Sequence, residues 1–190
     1  MQGANPIQPN IQKPEDCIAY IALRFPATFA QIVSALSQIN ERIPAWKPKS
    51  VLELGCGPGT GLFAAKTVWP SIKTATGLDT EQLFLSLAEE IHYDSKMNLD
   101  VTWVKSTVLK WIAAEDKVSY DLIIVANVLN ELTDEEHERL IQKISQRSSG
   151  VVVLLEPGTA YGFSIIQKAA RAVAPMHHLI TPYINNSFVA

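Results

Sequence analysis

The segment Gly55-Cys56-Gly57-Pro58-Gly59 constrains the fold more than any other part of this sequence. It follows Ser50-Val-Leu-Glu-Leu54, a short apolar run typical of a β-strand, and it precedes residues 60–68, which have the pattern of a helix. Glycines at such a junction permit a tight turn and let a ligand approach the backbone closely. The amides at the start of the following helix favour a negatively charged group. Together these features predict a ligand site at the carboxyl end of the first strand of an α/β sheet.

Further strands and helices alternate along the rest of the chain. Strands are predicted at residues 74–79, 101–104, 120–128 and 150–155, and helices at residues 81–92, 133–147 and 161–173. Residues 14–43 are also mostly helical in pattern, and Pro26 is expected to separate a short helix from a longer one. Because the strands are continuous apolar runs, they predict a Rossmann-like, mostly parallel sheet with helices on both faces.

Four regions are predicted along the chain. Residues 1–13 are expected to form a flexible N-terminal arm, residues 14–45 a helical extension, residues 46–180 the Rossmann-like domain and residues 181–190 an irregular tail. The arm is polar and rich in Pro, Asn and Gln, and it resembles neither a signal peptide nor an Arg-rich transit peptide. A cytoplasmic protein is therefore expected.

The composition argues against several other classes of protein. The chain has 190 residues with 16 basic and 19 acidic side chains, so it lacks the cationic excess of a strongly basic nucleic-acid-binding protein. Its two cysteines are too few for a disulfide framework or a four-thiolate metal site, and no metal site is expected. No run approaches the ~18 apolar residues of a membrane span, so a membrane partner is not expected.

The spacing of the glycines separates two kinds of nucleotide-binding loop. The dinucleotide pattern G-x-G-x-x-G would need a glycine where Thr60 or Leu62 stands. The G-x-G-x-G spacing found here, preceded by an acid, resembles the first motif of class I S-adenosylmethionine-dependent methyltransferases. The resemblance implies that the methionine part of S-adenosylmethionine is held by Glu53, Gly55, Cys56, Gly57 and Gly59.

Two further positions are expected to contact this cofactor. Asp79 closes the second predicted strand, where a carboxylate can accept hydrogen bonds from both ribose hydroxyls; the alternative is that it caps the next helix. For Glu53, the alternative is a buried acid held by backbone amides. Methyltransferases of this class often carry an acid after the third strand for the adenine amino group. Here Ser106 and Thr107 are the polar candidates, and Thr107 is assigned to the cofactor.

Several stretches resemble one particular family, the methyltransferase-like proteins associated with the mitochondrial small ribosomal subunit and their bacterial relatives. They are residues 20–28, 51–59, 121–124, 127–132 and 156–163, the last beginning Glu156-Pro-Gly-Thr159. The resemblance implies an S-adenosylmethionine-binding domain that acts on, or assembles with, small-subunit ribosomal RNA.

The sequence departs from this family near its end. Family members carry a cysteine-rich region there, to which an iron–sulfur cluster is assigned, but Met176 stands where a cysteine would be expected and no cysteine follows. We therefore expect no iron–sulfur cluster on this chain. We also expect the β-hairpin that usually completes a class I methyltransferase sheet to be missing.

The candidates for catalysis follow the fourth predicted strand. Methyl transfer from a sulfonium is an in-line displacement that depends mainly on orientation, and a general base can assist it. Asn127 and Glu131 are the assigned catalytic residues, with Asn127 also at the cofactor; being four apart, they are expected to share one helical face. Helix capping and surface solvation are the alternative roles.

Two more features have open roles. Arg24 is expected to reach either the cofactor carboxylate or an RNA phosphate, and a salt bridge at the surface or within the N-terminal helix is the alternative. Glu156-Pro-Gly-Thr159 would either border the acceptor pocket or form only a strand-to-helix turn.

Three functions are compatible with these patterns. The favoured one is a methyltransferase-like protein acting on or assembling with small-subunit ribosomal RNA. The second is a non-catalytic ribosome-assembly factor that retains the fold. The third is a small-molecule methyltransferase, which the acidic net charge favours. The methyl acceptor and the oligomeric state are not predicted.

Overall fold

A computed structural model describes residues 13–175 and 177–181 of the chain. Among them the strands are β1 (Ser50–Leu54), β2 (Thr74–Asp79), β3 (Asp100–Lys105), β4 (Tyr120–Ala126) and β5 (Ser148–Leu155). The helices are α1 (Pro14–Arg42), α2 (Thr60–Val68), α3 (Gln82–Ser95), α4 (Val108–Ala113), α5 (Asp134–Arg147) and α6 (Ala160–Val173), and a 3₁₀ turn lies at Leu129–Glu131.

The strands form one parallel sheet in the order β3-β2-β1-β4-β5. The chain moves outward from β1 to β3 and then crosses back to place β4 on the other side of β1. Leu54 accordingly lies between Leu78 of β2 and Val125 of β4. This reversal of strand order opens a crevice at the carboxyl ends of β1 and β4, as in other doubly wound sheets. The expected Rossmann-like fold is confirmed.

Both faces of the sheet are buried. On one face, Val51 of β1 packs in a cluster with Ile32 and Leu36 of α1. On the other face, Leu52 packs in a cluster that includes Ile144 of α5. Each such side chain, when fully buried, contributes about 1.5–3 kcal/mol of transfer free energy. The two clusters fix β1 in the centre of the sheet, directly beneath the glycine loop.

Pro26 does not divide the N-terminal helix, so the expected break there is wrong. α1 continues from Pro14 to Arg42 with Pro26 inside it. A proline within a helix leaves the carbonyl four residues earlier without its donor, which here is the carbonyl of Ala22. Both residues are exposed, so water can replace the lost donor. The ring of Tyr20 also packs 5.1 Å from the ring of Phe84, centroid to centroid, and anchors the first part of α1.

Two boundaries after the third and fourth strands differ from the prediction. The six-residue helix α4 was not expected, because it is too short to show a periodic pattern. Thr107 caps its start, since the Thr107 hydroxyl accepts a hydrogen bond from the Lys110 amide at 3.0 Å. β4 ends at Ala126 because Asn127 turns the backbone into the left-handed region with φ 59°.

By length and composition, α1 could cross a membrane, which departs from the expectation that no segment reaches that size. Its residues Glu15–Arg42 contain an 18-residue window with mean hydropathy 1.4, of which 11% is buried. In the same helix, Ile32, Leu36 and Ile39 are buried against the sheet domain. The core helix of a globular domain therefore accounts for part of this hydropathy, and the absence of a membrane partner stays a prediction.

Some expectations concern residues outside the described ones. These are the flexible arm up to residue 12, the tail from residue 182 onward and the assignment at Met176. Within the described residues β5 pairs with β4 alone. The domain boundaries and the missing hairpin remain predictions.

Candidate cofactor-binding site

The loop between β1 and α2 turns through three glycines with positive φ, namely Gly55, Gly57 and Gly59. A side chain at Gly55 would overlap the Val128 side chain, so this glycine lets the loop after β4 approach closely. At Gly57 a Cβ atom would meet no atom within 4 Å. Gly57 therefore presents bare backbone to open space, which is the geometry that a ligand approaching the main chain requires.

Glu53 fixes the start of α2. Its carboxyl is buried and accepts hydrogen bonds from the amides of Gly61 at 2.9 Å and Leu62 at 3.0 Å. Burial raises the pKa of Glu53 to about 8, against the opposing effect of these two amides. The alternative role, a buried acid held by backbone amides, is thus the one observed. Because Glu53 also lines the cavity, a cofactor contact stays a prediction.

Asp79 joins the glycine loop to the turn after β2. Its Oδ2 accepts from the Gly57 amide at 2.7 Å and its Oδ1 from the Glu81 amide at 2.8 Å. The cap of α3 is Glu81, whose side chain accepts from the Leu83 amide, and not Asp79. Burial raises the pKa of Asp79, and the amides it accepts from oppose that rise. Asp79 also lines the cavity, and a carboxylate oxygen can accept more than one hydrogen bond.

An open cavity of about 430 Å³ lies at the carboxyl ends of the strands. That volume falls in the range of roughly 300–1,000 Å³ common for small-molecule sites. Among the residues assigned from the sequence, those that line it are Glu53, Gly55, Cys56, Gly57, Asp79, Thr107, Asn127 and Glu131. Gly59 does not line it; a Cβ atom there would press on the Trp103 ring.

Asn127 and Glu131 do not share a helical face, contrary to the expectation. Asn127 has a left-handed backbone and precedes the 3₁₀ turn that contains Glu131. Both nevertheless line the cavity, because the turn folds back over the end of β4. The structure thus brings the two assigned residues to one wall by a tight turn.

Glu156 holds this turn from the neighbouring strand. Its carboxylate accepts from the Leu129 amide at 2.8 Å and from the Asn130 side-chain amide at 2.6 Å. Thr159 caps α6 by accepting from the Gly162 amide at 3.0 Å. Neither Glu156 nor Thr159 lines the cavity. The segment is therefore the strand-to-helix turn considered as the alternative. Within it, Glu156 positions the turn that carries Asn127 and Glu131.

α1 supplies a wall of the cavity, of which only Arg24 was expected to reach the cofactor. Tyr20, Arg24, Thr28 and Ile32 line the cavity together with Phe25. Tyr20, Arg24, Thr28 and Ile32 are four residues apart in turn, so they lie on one helix face. This spacing is the feature of the sequence that could have predicted the wall. Within the described residues no cluster of three or more His, Cys, Asp or Glu side chains could hold a metal ion.

The family of the chain follows from a sequence comparison. A family model described as mitochondrial small ribosomal subunit Rsm22 matches residues 14–183. The chain belongs to the Rsm22 family. The match includes every strand and helix described above, α1 among them.

Curated relatives extend the same comparison. The Rsm22-cox11 tandem protein 2, mitochondrial, of Schizosaccharomyces pombe is 27% identical over 159 residues, which cover 80% of this chain and 21% of that protein. The ribosome assembly protein METTL17, mitochondrial, of Homo sapiens is 25% identical over 154 residues, covering 80% and 34%. The chain therefore spans between a fifth and about a third of the length of these relatives.

Solved structures of methyltransferases share the fold. The plantazolicin methyltransferase BpumL, in complex with SAH, gives a TM-score of 0.55 at 18% identity over 72% of this chain and 50% of that one. An O-methyltransferase family protein from Burkholderia thailandensis gives 0.57 at 16% identity, over 74% and 40%. The class I methyltransferase fold is confirmed.

The expectation of a cytoplasmic protein is wrong. The family and both relatives named above are described as mitochondrial. The expectation relies on the composition of residues 1–13. A targeting peptide is a segment distinct from the folded domain, so it has to be identified separately. The sequence of the domain itself does not report the compartment.

Proposed function

We propose that this Rsm22-family chain binds S-adenosylmethionine beside the glycine loop and acts on, or assembles with, small-subunit ribosomal RNA. The observation that carries the proposal is the bare backbone at Gly57, which lines an open cavity. The Gly57 amide donates a hydrogen bond to Asp79, which fixes this part of the loop. The family description and the name of METTL17 support the ribosomal part.

The residues on the wall suit the parts of this cofactor. The cofactor would supply a methyl group on a sulfonium, and the protein's main contribution to the transfer is orientation. The loop at Cys56 and Gly57 would bind the methionine part of the cofactor. Asp79 would accept hydrogen bonds from the ribose hydroxyls, and Thr107 would contact the adenine. Glu53 would act mainly by holding the start of α2.

The opposite wall would receive the methyl acceptor. Asn127 and Glu131 line the cavity there, on the turn positioned by Glu156. A carboxylate at Glu131 can take a proton from an oxygen or nitrogen nucleophile, and the Asn127 amide can donate and accept hydrogen bonds.

A matched pair of glycine variants tests the cofactor site. A Cβ at Gly57 would protrude into the cavity without touching the protein, so Gly57→Ala should fold with a left-handed backbone cost of about 1 kcal/mol. We expect the affinity for S-adenosylhomocysteine, measured by calorimetry, to fall at least about 30-fold, or about 2 kcal/mol. Gly158→Ala is the control, because a Cβ there also meets open space but lies off the cavity lining.

The calorimetry has two outcomes that contradict the proposal. A folded wild-type chain that binds no S-adenosylhomocysteine would remove the cofactor site. Equal affinities for the wild type and Gly57→Ala would mean that the ligand binds elsewhere.

A second candidate is a ribosome-assembly factor that does not turn over its cofactor. The observation favouring it is the name of METTL17, a ribosome assembly protein. The Gly57→Ala variant separates the two functions. Co-sedimentation with small-subunit precursors that survives loss of cofactor binding would support the assembly role, and loss of both would favour the cofactor-dependent one.

A further inference from the structure

The wall formed by α1 differs in charge from the rest of the cavity. The lining residues include four acids, namely Glu53, Asp79, Glu81 and Glu131. Arg24 is the one Lys or Arg side chain among the described residues that line it. A ligand that fits this wall would carry positive charge over most of its contact and a negative group at Arg24.

Arg24 is available to such a group. Its side chain is exposed, and no carboxylate among the described residues lies within salt-bridge distance of it. A salt bridge of Arg24, one of the roles open from the sequence, is therefore absent from the described part of the chain. No side-chain hydrogen bond to its guanidinium is formed by the described residues, so its N–H donors can bind a ligand in the cavity.

Arg24 shares the cavity with Tyr20 and with the acids Asp79 and Glu131. Tyr20 is one helical turn before Arg24 on α1. Burial raises the pKa of Tyr20, the positive charge of Arg24 lowers it, and the negative charges of Asp79 and Glu131 raise it.

We propose that Arg24 binds the α-carboxylate of the methionine part of the cofactor and so orients it under α1. This inference rests on the cofactor site proposed above. S-adenosylmethionine carries a sulfonium and an ammonium group, which suit the acidic walls, and one carboxylate, which suits a lone guanidinium. Guanidinium binds carboxylate through two parallel N–H donors, so the contact fixes direction as well as charge.

Two ligands that differ in the amino-acid part test the assignment. S-adenosylhomocysteine carries the carboxylate, whereas 5′-methylthioadenosine keeps the nucleoside and the sulfur but lacks it. For Arg24→Gln, we expect calorimetry to show an affinity for S-adenosylhomocysteine reduced about 30-fold, because a charged hydrogen-bonded pair is lost. The affinity for 5′-methylthioadenosine should stay within about twofold.

Arg42→Gln is the matched control, because Arg42 is exposed in the last turn of the same helix and does not line the cavity. It should leave both affinities unchanged, and Arg24→Lys should recover part of the loss.

Three results would overturn the assignment. Equal affinities of Arg24→Gln and the wild type for S-adenosylhomocysteine would mean that Arg24 does not touch the ligand. Equal losses for both ligands would mean that Arg24 acts through the shape of α1. Weaker binding of a small-subunit ribosomal RNA fragment, with cofactor affinity intact, would assign Arg24 to an RNA phosphate. A wild type that binds neither nucleoside would instead contradict the cofactor site itself.

Discussion

Two buried glutamates hold the two sides of the cavity in different ways. Glu53 of β1 accepts from two amides eight and nine residues further along the chain, so its bonds are local. Glu156, after β5, reaches residues 27 and 26 positions earlier, in the turn after β4. The start of α2 is therefore held by the strand that immediately precedes it, while β2 holds the glycine loop through Asp79. The turn carrying Asn127 and Glu131 depends on the neighbouring strand.

The two carboxyls also differ in their hydrogen-bond partners. Burial raises the pKa of Glu53 to about 8, so we expect Glu53 to be largely protonated at pH 7. Burial raises the pKa of Glu156 as well, against the opposing effect of the Asn130 side chain and three backbone amides of the turn. Hydrogen bonds to a charged acceptor contribute about 1.5–3 kcal/mol each, against about 0.5–1.5 kcal/mol for neutral pairs.

The largest effect is expected from Glu156→Ala. The change removes two hydrogen bonds and leaves two buried donors, the Leu129 amide and the Asn130 side chain, without this acceptor. We expect the free energy of unfolding, measured with denaturant at pH 7, to fall by about 4 kcal/mol. Glu53→Ala should cost about 2 kcal/mol, since it removes two bonds to a largely neutral acid.

A double-mutant cycle sharpens this result. Glu156→Ala and Asn130→Ala should be coupled by about 2 kcal/mol, because they share one hydrogen bond between buried groups. Additive effects would contradict the hydrogen bond between Asn130 and Glu156, and a greater loss for Glu53→Ala than for Glu156→Ala would contradict the expected order.

The glycine loop and Asp79 could be predicted from the sequence, whereas the contacts of Glu156 with the turn after β4 could not. The glycine spacing and Asp79 lie at strand ends whose order follows from the alternation of strands and helices. The bond between Glu156 and Asn130 needs the pairing of β4 with β5, and no local pattern specifies that partner. The left-handed backbone of Asn127 was missed for the same reason, because asparagine adopts that conformation only in some contexts.

Only Arg24 of the N-terminal wall was expected at the cofactor, because a helix break was expected at Pro26. A helix can continue through Pro26 where the carbonyl it frees is exposed, and exposure is a property of the folded chain. With α1 divided at that point, Thr28 would not continue the helix face of Tyr20 and Arg24. α4 was missed because six residues are too few for a period to show.

A smaller effect is expected in the pH dependence of Glu53→Gln. The folded chain keeps the Glu53 proton up to about pH 8, whereas the unfolded chain releases it near the ordinary glutamate pKa of 4.5. Between these values the folded state binds more protons, so wild-type stability falls as pH rises, by at most about 1.4 kcal/mol per pH unit. Relative to Glu53→Gln, the wild type should lose about 2 kcal/mol of unfolding free energy from pH 5 to pH 7.

The neighbouring charge of Asp79 acts in the same direction, since it also raises the pKa of Glu53. Glu89→Gln, at an exposed position of α3, is the control and should change the pH dependence little. Parallel pH curves for the wild type and Glu53→Gln would show that Glu53 is charged in the folded chain, and the contrast with Glu156 would then rest on distance along the chain alone.

The smallest effects come from two threonines that cap the helices following the two edge strands, β3 and β5. Thr107 caps α4 on the cavity wall, and Thr159 caps α6 away from it, each accepting a backbone amide at 3.0 Å. Thr107→Ala and Thr159→Ala should each lower the free energy of unfolding by about 1 kcal/mol. Because the Thr107 hydroxyl still has a proton to donate, its loss should also weaken S-adenosylhomocysteine binding about fivefold.

Thr159→Ala should leave that affinity unchanged, and Thr107→Ser should restore it. An equal loss of affinity in Thr107→Ala and Thr159→Ala would show that the cap acts through general stability, because the two residues share a structural role and differ in access to the cavity. A loss confined to Thr107 would place the adenine side of the ligand against the start of α4. The β1–β2–β3 side of the sheet would then bind the cofactor, and the side held by Glu156 would remain for the acceptor.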